Sequence, residues 1–132
     1  MKIHHVGYFV DDINASAVEF QNIGFSTLND VVEDTARKIN ILFLENNGYI
    51  IELIQPMSDI SPFYGLRKRY RNSPYHICYV TDNLIKEIEK MVNLCGYVLF
   101  LPPSPAPAIS GCPNVAFLMN KHIGIIELVE LK

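Results

Sequence analysis

Four residues whose types could do chemistry sit where apolar side chains would be expected: His5, Glu52, His76 and Glu127. Each interrupts a strand-like apolar run, IHHVGYFV, YIIELI, YHICYV and GIIELV in turn. An ionised carboxylate buried without a partner is costly enough to be protonated, paired or metal-bound. Taken alone, a histidine in a strand is more often a satisfied structural residue, and a glutamate can face solvent on an alternating strand. Taken together, two imidazoles and two carboxylates form a mixed nitrogen and oxygen set suited to one first-row divalent ion, with room for water or substrate oxygens. Nickel, cobalt, manganese and zinc all fit that donor set. Cysteine-rich structural zinc does not, because Cys78, Cys95 and Cys112 fall outside the pattern.

A divalent ion chelated by two substrate oxygens would polarise a carbonyl and favour proton movement beside it. Glu127 is the first candidate for the base, as a ligand carboxylate that can loosen, take an α-proton and return it; Glu52 is the second. His5 and His76 would serve as neutral ligands, so activity should fall as they protonate.

The elements that must position these residues occur twice. HHVGYFVDDI (residues 4–13) lies over YHICYVTDNL (residues 75–84) at an offset of 71, so His5 falls on His76, Tyr8 on Tyr79 and Asp11 on Asp82. Each segment runs on into a helix-like stretch ending in a glycine and an aromatic, Gly24-Phe25 and Gly96-Tyr97. INILFLENNGYIIELI (39–54) lies over NVAFLMNKHIGIIELV (114–129) without a gap, at an offset of 75, so Glu52 falls on Glu127. This is a duplicated module, with module one over about 1–56 and module two over about 74–132.

Within module one a strand is expected over 2–10. A helix follows over about 14–22, capped by Asp12 or Asn14, with Ala15, Val18 and Phe20 or Ile23 turned inward. Strands over 37–45 and 49–55 are joined by a turn whose Asn47-Gly48 is a strong hairpin signal. Module two repeats the order: a strand over 75–81, and a helix over about 83–94 with Leu84, Ile88, Met91 and Val92 on one face. A strand near 97–101 and a hairpin near 114–119 and 123–130 complete it. Residues 56–74 read as a linker carrying the basic cluster Arg67-Lys68-Arg69-Tyr70-Arg71, which could meet a phosphate or lie on a solvated face. Residues 101–113, with Pro102, Pro103, Pro105 and Pro107, read as a long loop, either a lid or a stiff connection.

At 132 residues the chain fits one domain with a real core. Its net charge of -3 gives no electrostatic reason to expect nucleic acid. No window suggests a membrane span, and MKIHHVGYFV lacks a signal-peptide run, so a cytoplasmic location is expected. Three separated cysteines read as reduced thiols, with Cys78 and Cys95 in the core.

At the quoted residues the chain resembles the vicinal-oxygen-chelate superfamily, the group of glyoxalases, bleomycin-resistance proteins and methylmalonyl-CoA epimerases. IHHVGYFVDDI resembles that family's opening strand, whose histidine is a metal ligand and matches His5. IIELIQP (50–56) resembles the strand carrying a Glu or Gln ligand, here Glu52. SPYHICYVTDNL (73–84) and GIIELVE (124–130) resemble the strands whose ligands match His76 and Glu127. The resemblance implies an α+β fold of two βαβββ modules forming a curved mixed sheet around the metal, commonly in a homodimer. It implies a metal-dependent isomerase or lyase acting on a small carbonyl or thioester substrate, as glyoxalases and methylmalonyl-CoA epimerases do. The epimerases place carboxylates on both faces of the substrate α-carbon; here KINILFLE offers only Asn40 before Glu45 at the turn. The alternative of another class is a non-catalytic drug-binding protein of the bleomycin-resistance type, and a 2-His-1-carboxylate dioxygenase ranks below both.

Overall fold

Asp12 stands before an apolar stretch and its carboxylate accepts the N–H groups of Asn14 and Ala15, which starts helix α1 at Ile13 and carries it to Asn22. The computed structural model describes residues Met1–Lys132 and divides into two compact units, His5–Tyr75 and Met1–His4 with His76–Lys132.

The first unit is built on strands β1 (Lys2–Phe9), β2 (Ser26–Thr27), β3 (Val32–Asp34), β4 (Ile39–Asn46) and β5 (Tyr49–Pro56). β4 and β5 pair antiparallel through a two-residue turn, and β5 then pairs parallel with β1. The turn needs left-handed backbone at both central residues, and Asn47 (φ 51°) and Gly48 (φ 85°) supply it. The short β2 and β3 both pair with β4. The outer face of β4 and β5 offers Leu42, Leu44 and Leu53 to α1, which answers with Ile13 and Ala17, and Phe20 packs alongside. Each of the three leucines and Ile13 contributes about 1.5–3 kcal/mol when fully buried.

That inward stripe differs from the expected one. Ala15 is exposed, Val18 is 51% exposed and Ile23 67% exposed. Because the Asp12 cap sets the helix start, the apolar positions at i, i+4 and i+7 are 13, 17 and 20; Phe20 is inward as expected, while Ala15, Val18 and Ile23 lie off that face.

The second unit contains β6 (Ser73–Thr81), α3 (Leu84–Cys95), β7 (Val98–Pro105), β8 (Asn114–Asn120) and β9 (Gly124–Glu130). β6 pairs parallel with β9, β9 antiparallel with β8, and β8 antiparallel with β7. Asn83 caps α3 by accepting from Lys86 N–H, and Gly96 ends it in the left-handed region at φ 73°. Leu84, Ile88 and Met91 of α3 cover Ala116, Leu118, Ile126 and Leu128. Val92 is 37% exposed, and Cys95, expected in the core, is exposed at the end of the helix, past the last inward turn; Cys78 is fully buried.

Residues 101–113 are not one loop. Strand β7 runs on through Pro102, Pro103 and Pro105, with breaks in register between Leu99 and Leu101 and between Leu101 and Ser104. β7 closes the β6-β9-β8-β7 series, and an end strand is where proline is tolerated because one side of its backbone makes no ladder bonds. The linker is likewise ordered, with a 3-10 turn at Tyr64–Leu66 and a short helix α2 at Arg67–Tyr70. Ser61 Oγ donates to the carbonyl of Arg37 (2.7 Å) and Met57 N–H to that of Lys38 (2.8 Å), which fastens the linker to the turn before β4. Asp34, 1% exposed, closes that turn by accepting from Arg37 N–H and its guanidinium. No helix is long and apolar enough to cross a membrane. With three helices and nine strands in mixed pairing, the fold is α+β.

Candidate functional site

In the first unit, strand pairing brings one histidine and one glutamate together. Gly7 of β1 is the register partner of Glu52 on β5, and Phe43 of β4 is its partner on the other side. His5 lies two residues before Gly7 and so shares its face, turned away from the face that packs on α1. His5 Nε2 is 3.4 Å from Glu52 Oε1, with both side chains buried. Phe43 meets the His5 ring edge to face, centroids 5.3 Å apart at 79°, an arrangement that fixes the imidazole's orientation.

The second unit repeats every element of this arrangement. Cys78, two residues after His76, is the register partner of Glu127, and Phe117 is its partner on the other side. His76 Nε2 is 3.8 Å from Glu127 Oε2, again with both side chains buried. Phe117 meets the His76 ring at 5.4 Å and 88°. Each pair is therefore a buried imidazole and a buried carboxylate with an aromatic edge against the ring. The residues are 1%, 4%, 3% and 3% exposed in the order His5, Glu52, His76, Glu127, so no bulk water competes for their donors and acceptors.

The two phenylalanines went unseen in the gapless repeat match, and the reason lies in the turns. Asn46 pairs with Tyr49 across two residues, whereas Asn120 pairs with Gly124 across three. The offset of 75 holds on β5 and β9 but slips to 74 on β4 and β8, where Phe43 corresponds to Phe117. A one-residue slip exchanges the faces of a strand. Allowing one extra residue in the second turn would have found both aromatics.

Other polar residues on and beside these strands sort by the same alternation. His4 is half-buried on the strand face opposite His5, and His122 is exposed in the β8–β9 turn. Asn40 pairs with Gln55 and falls on the helix-side face of β4, while Glu45 shares the face of Phe43 and Glu52. Glu45 is half-buried and accepts the Gly48 N–H at 3.3 Å.

A second charged cluster gathers at the end of β1. Asp11 accepts from Arg71 Nε and Asn72 Nδ2, and its own N–H donates to Asn72 Oδ1. The Arg71 hydrogen bond holds its carboxyl below the ordinary 3.8 against an opposing desolvation effect, assisted by the charge of Arg71, the Asn72 hydrogen bond and the charge of Arg67.

Comparison with known proteins gives the family and the fold of the chain. The family model described as Glyoxalase/Bleomycin resistance protein/Dioxygenase superfamily matches residues 4–112. The ethylmalonyl-CoA/methylmalonyl-CoA epimerase of Cereibacter sphaeroides is 23% identical over 99 residues, 74% of each chain. Among solved structures, a hypothetical protein from Bacillus halodurans superposes with a TM-score of 0.81 at 24% identity, over 99% of this chain and 94% of its own. A variant methylmalonyl-CoA epimerase from Streptomyces coelicolor, in complex with 2-nitronate-propionyl-CoA, superposes with a TM-score of 0.83 at 18% identity, over 98% and 93%. The fold is the vicinal-oxygen-chelate fold of these neighbours.

Proposed function

The chain belongs to the Glyoxalase/Bleomycin resistance protein/Dioxygenase superfamily, and from that premise we propose that it is a metal-dependent isomerase of small acyl thioesters, moving a proton beside the thioester carbonyl. The observation that carries this reading is the buried His–Glu pair made twice in the same strand frame, His5 with Glu52 and His76 with Glu127. Two such pairs offered to one ion give two neutral nitrogens and two carboxylate oxygens, a set that fits a first-row divalent ion such as nickel, cobalt, manganese or zinc. The similarity to epimerases of CoA thioesters supports the substrate class.

When bound, the ion would act as a Lewis acid, polarising a substrate oxygen and offsetting the charge that develops on it. The protein's own residues do the rest. His5 and His76 stay neutral and are held in orientation by Phe43 and Phe117. Glu127 takes the α-proton and returns it. Glu52 remains the anionic partner of His5. Burial of all four excludes water, which protects the carbanion-like species from uncontrolled protonation. Glu45, the other carboxylate on the β4 face, is engaged with the hairpin N–H. A single base, Glu127, that can return the proton to either face of the planar carbon is therefore the isomerisation this reading specifies.

The test is metal analysis of protein purified without added ions, beside the double variant His5→Ala, Glu127→Ala, followed by exchange of solvent deuterium into 2-methylmalonyl-CoA. About one divalent ion per chain, lost in the variant, with exchange that stops on chelation and returns with metal, is the expected result. Wild-type protein that binds none of these ions would sink the enzyme reading and leave a small-molecule binding protein on the same fold. Metal without exchange into the thioester, but with turnover of the methylglyoxal–glutathione adduct, would move the substrate to the glyoxalase class.

A further inference from the structure

Within the first unit, a cavity of about 370 Å³ opens between the end of β1 and helix α2, walled by Arg67, Lys68, Arg71 and Asp11. We propose that this cavity is the phosphate-binding end of the substrate site, receiving the phosphates of a nucleotide-bearing thioester carrier such as coenzyme A. The proposal rests on the thioester reading above and adds where the far end of that substrate is held.

Three cations and one carboxylate line the cavity, in a chain whose net charge is -3. Arg67 and Arg71 stand four residues apart, a spacing at which like charges repel on a helical turn. Asp11 answers only part of that charge, through Arg71 Nε. A dianionic phosphate would balance the remainder, and guanidinium groups match its geometry.

Two of the three cations, Arg67 and Arg71, are held by contacts of their own, while Lys68 is exposed. The Arg67 guanidinium lies 4.1 Å over the Tyr64 ring, a cation–π contact that restrains the side chain before a ligand arrives. Asn72, in left-handed backbone at φ 49°, ties the end of α2 to Asp11 through two hydrogen bonds. Tyr70 meets Tyr75 at a tilt, centroids 6.0 Å apart, and Tyr75 meets Phe9 of β1 edge to face at 5.0 Å. Arg69, by contrast, turns to Tyr70 and does not line the cavity.

Position fits as well. Phe9 lies on the same face of β1 as His5, so the aromatic string leads from the strand face bearing His5 to the basic wall. His5 and Asp11 are six residues apart, at most about 21 Å along extended chain, which an extended pantetheine arm can span.

The test uses adenosine 3′,5′-bisphosphate, which carries the phosphates without a thioester, and follows its binding to the full chain by calorimetry at low salt. Wild-type protein should bind it, more weakly as salt is raised. The double variant Arg67→Gln, Lys68→Gln should lose affinity by about tenfold. The control Lys86→Gln, Lys121→Gln removes the same charge elsewhere and should change it little. Dephosphocoenzyme A should bind more weakly than coenzyme A in the wild type and equally in the Arg67, Lys68 variant. Equal losses in both double variants would overturn the proposal, as would no binding by the wild type. Inorganic phosphate holding as tightly as the bisphosphate would overturn the nucleotide assignment in favour of free phosphate. Binding of the bisphosphate without deuterium exchange into any thioester would instead fell the reaction and leave the phosphate site standing.

Discussion

The hairpin carrying Glu52 and the hairpin carrying Glu127 deliver the same pair of residues through different turns. The first closes over Asn47-Gly48, the second over three residues before Gly124. Outside them the units diverge further, with two short strands on β4 in one and the long proline-bearing β7 on β8 in the other. Inside, the register partners of the two glutamates correspond: a residue two past the histidine on one side, a phenylalanine on the other. A turn can gain a residue at the surface at little cost. The face of a strand cannot change without turning its buried set to solvent. What the two units share is thus the part that geometry ties to the histidine and glutamate.

The sharpest way to break that likeness is chemical. Glu52 and Glu127 are equivalent in structure but not in the proposed reaction, where Glu127 is the base. Glu127→Gln should lower turnover by about 10²–10⁴-fold, with metal content measured alongside. Glu52→Gln keeps an amide oxygen able to ligate and should lose much less. Equal losses from the two would mean that the pairs are interchangeable in function and that the base is misassigned.

A next-largest effect tests the likeness as packing. Phe43 and Phe117, 5% and 3% exposed, each brace a histidine ring. Phe43→Ala and Phe117→Ala should each destabilise by about 3–5 kcal/mol, within experimental error of each other, by denaturant midpoint. A difference of several kcal/mol would show that the two environments are alike in geometry but not in energy.

Much of this was legible in the residues because buried polar groups in apolar runs are conspicuous, and because a repeat makes the same statement twice. His5, Glu52, His76 and Glu127 stood out for that reason, and the α3 stripe of Leu84, Ile88 and Met91 for its period. The inward face of α1 was misread because Val18 and Ile23 are apolar yet exposed, and composition alone cannot say where a helix starts. Pro102, Pro103 and Pro105 read as loop because proline lacks the ladder donor, a loss an end strand tolerates. Phe43 and Phe117 were hidden by the extra turn residue. The fastening of the linker through Ser61, Met57 and Asn72 depends on contacts between distant residues, which local patterns do not carry.

The smallest expected effect contrasts the two residues that follow the opening strands, Asp11 and Asp82. Only Asp11 has Arg71 and Asn72 against it, and its carboxyl is held below the ordinary 3.8 chiefly by the Arg71 hydrogen bond. A carboxyl depressed in the folded state contributes stability that is present above its unfolded value and lost as pH falls through the folded one. The wild type should therefore lose a small increment of stability below about pH 4 that Arg71→Gln lacks, the two curves converging at lower pH. Because the pair is exposed, the increment should shrink as salt is raised. Urea midpoints taken across that acid range, for wild type, Arg71→Gln and Asp82→Asn, give the comparison. Curves that stay parallel between wild type and Arg71→Gln would mean the contact contributes nothing in solution, and Asp82→Asn should track the wild type throughout.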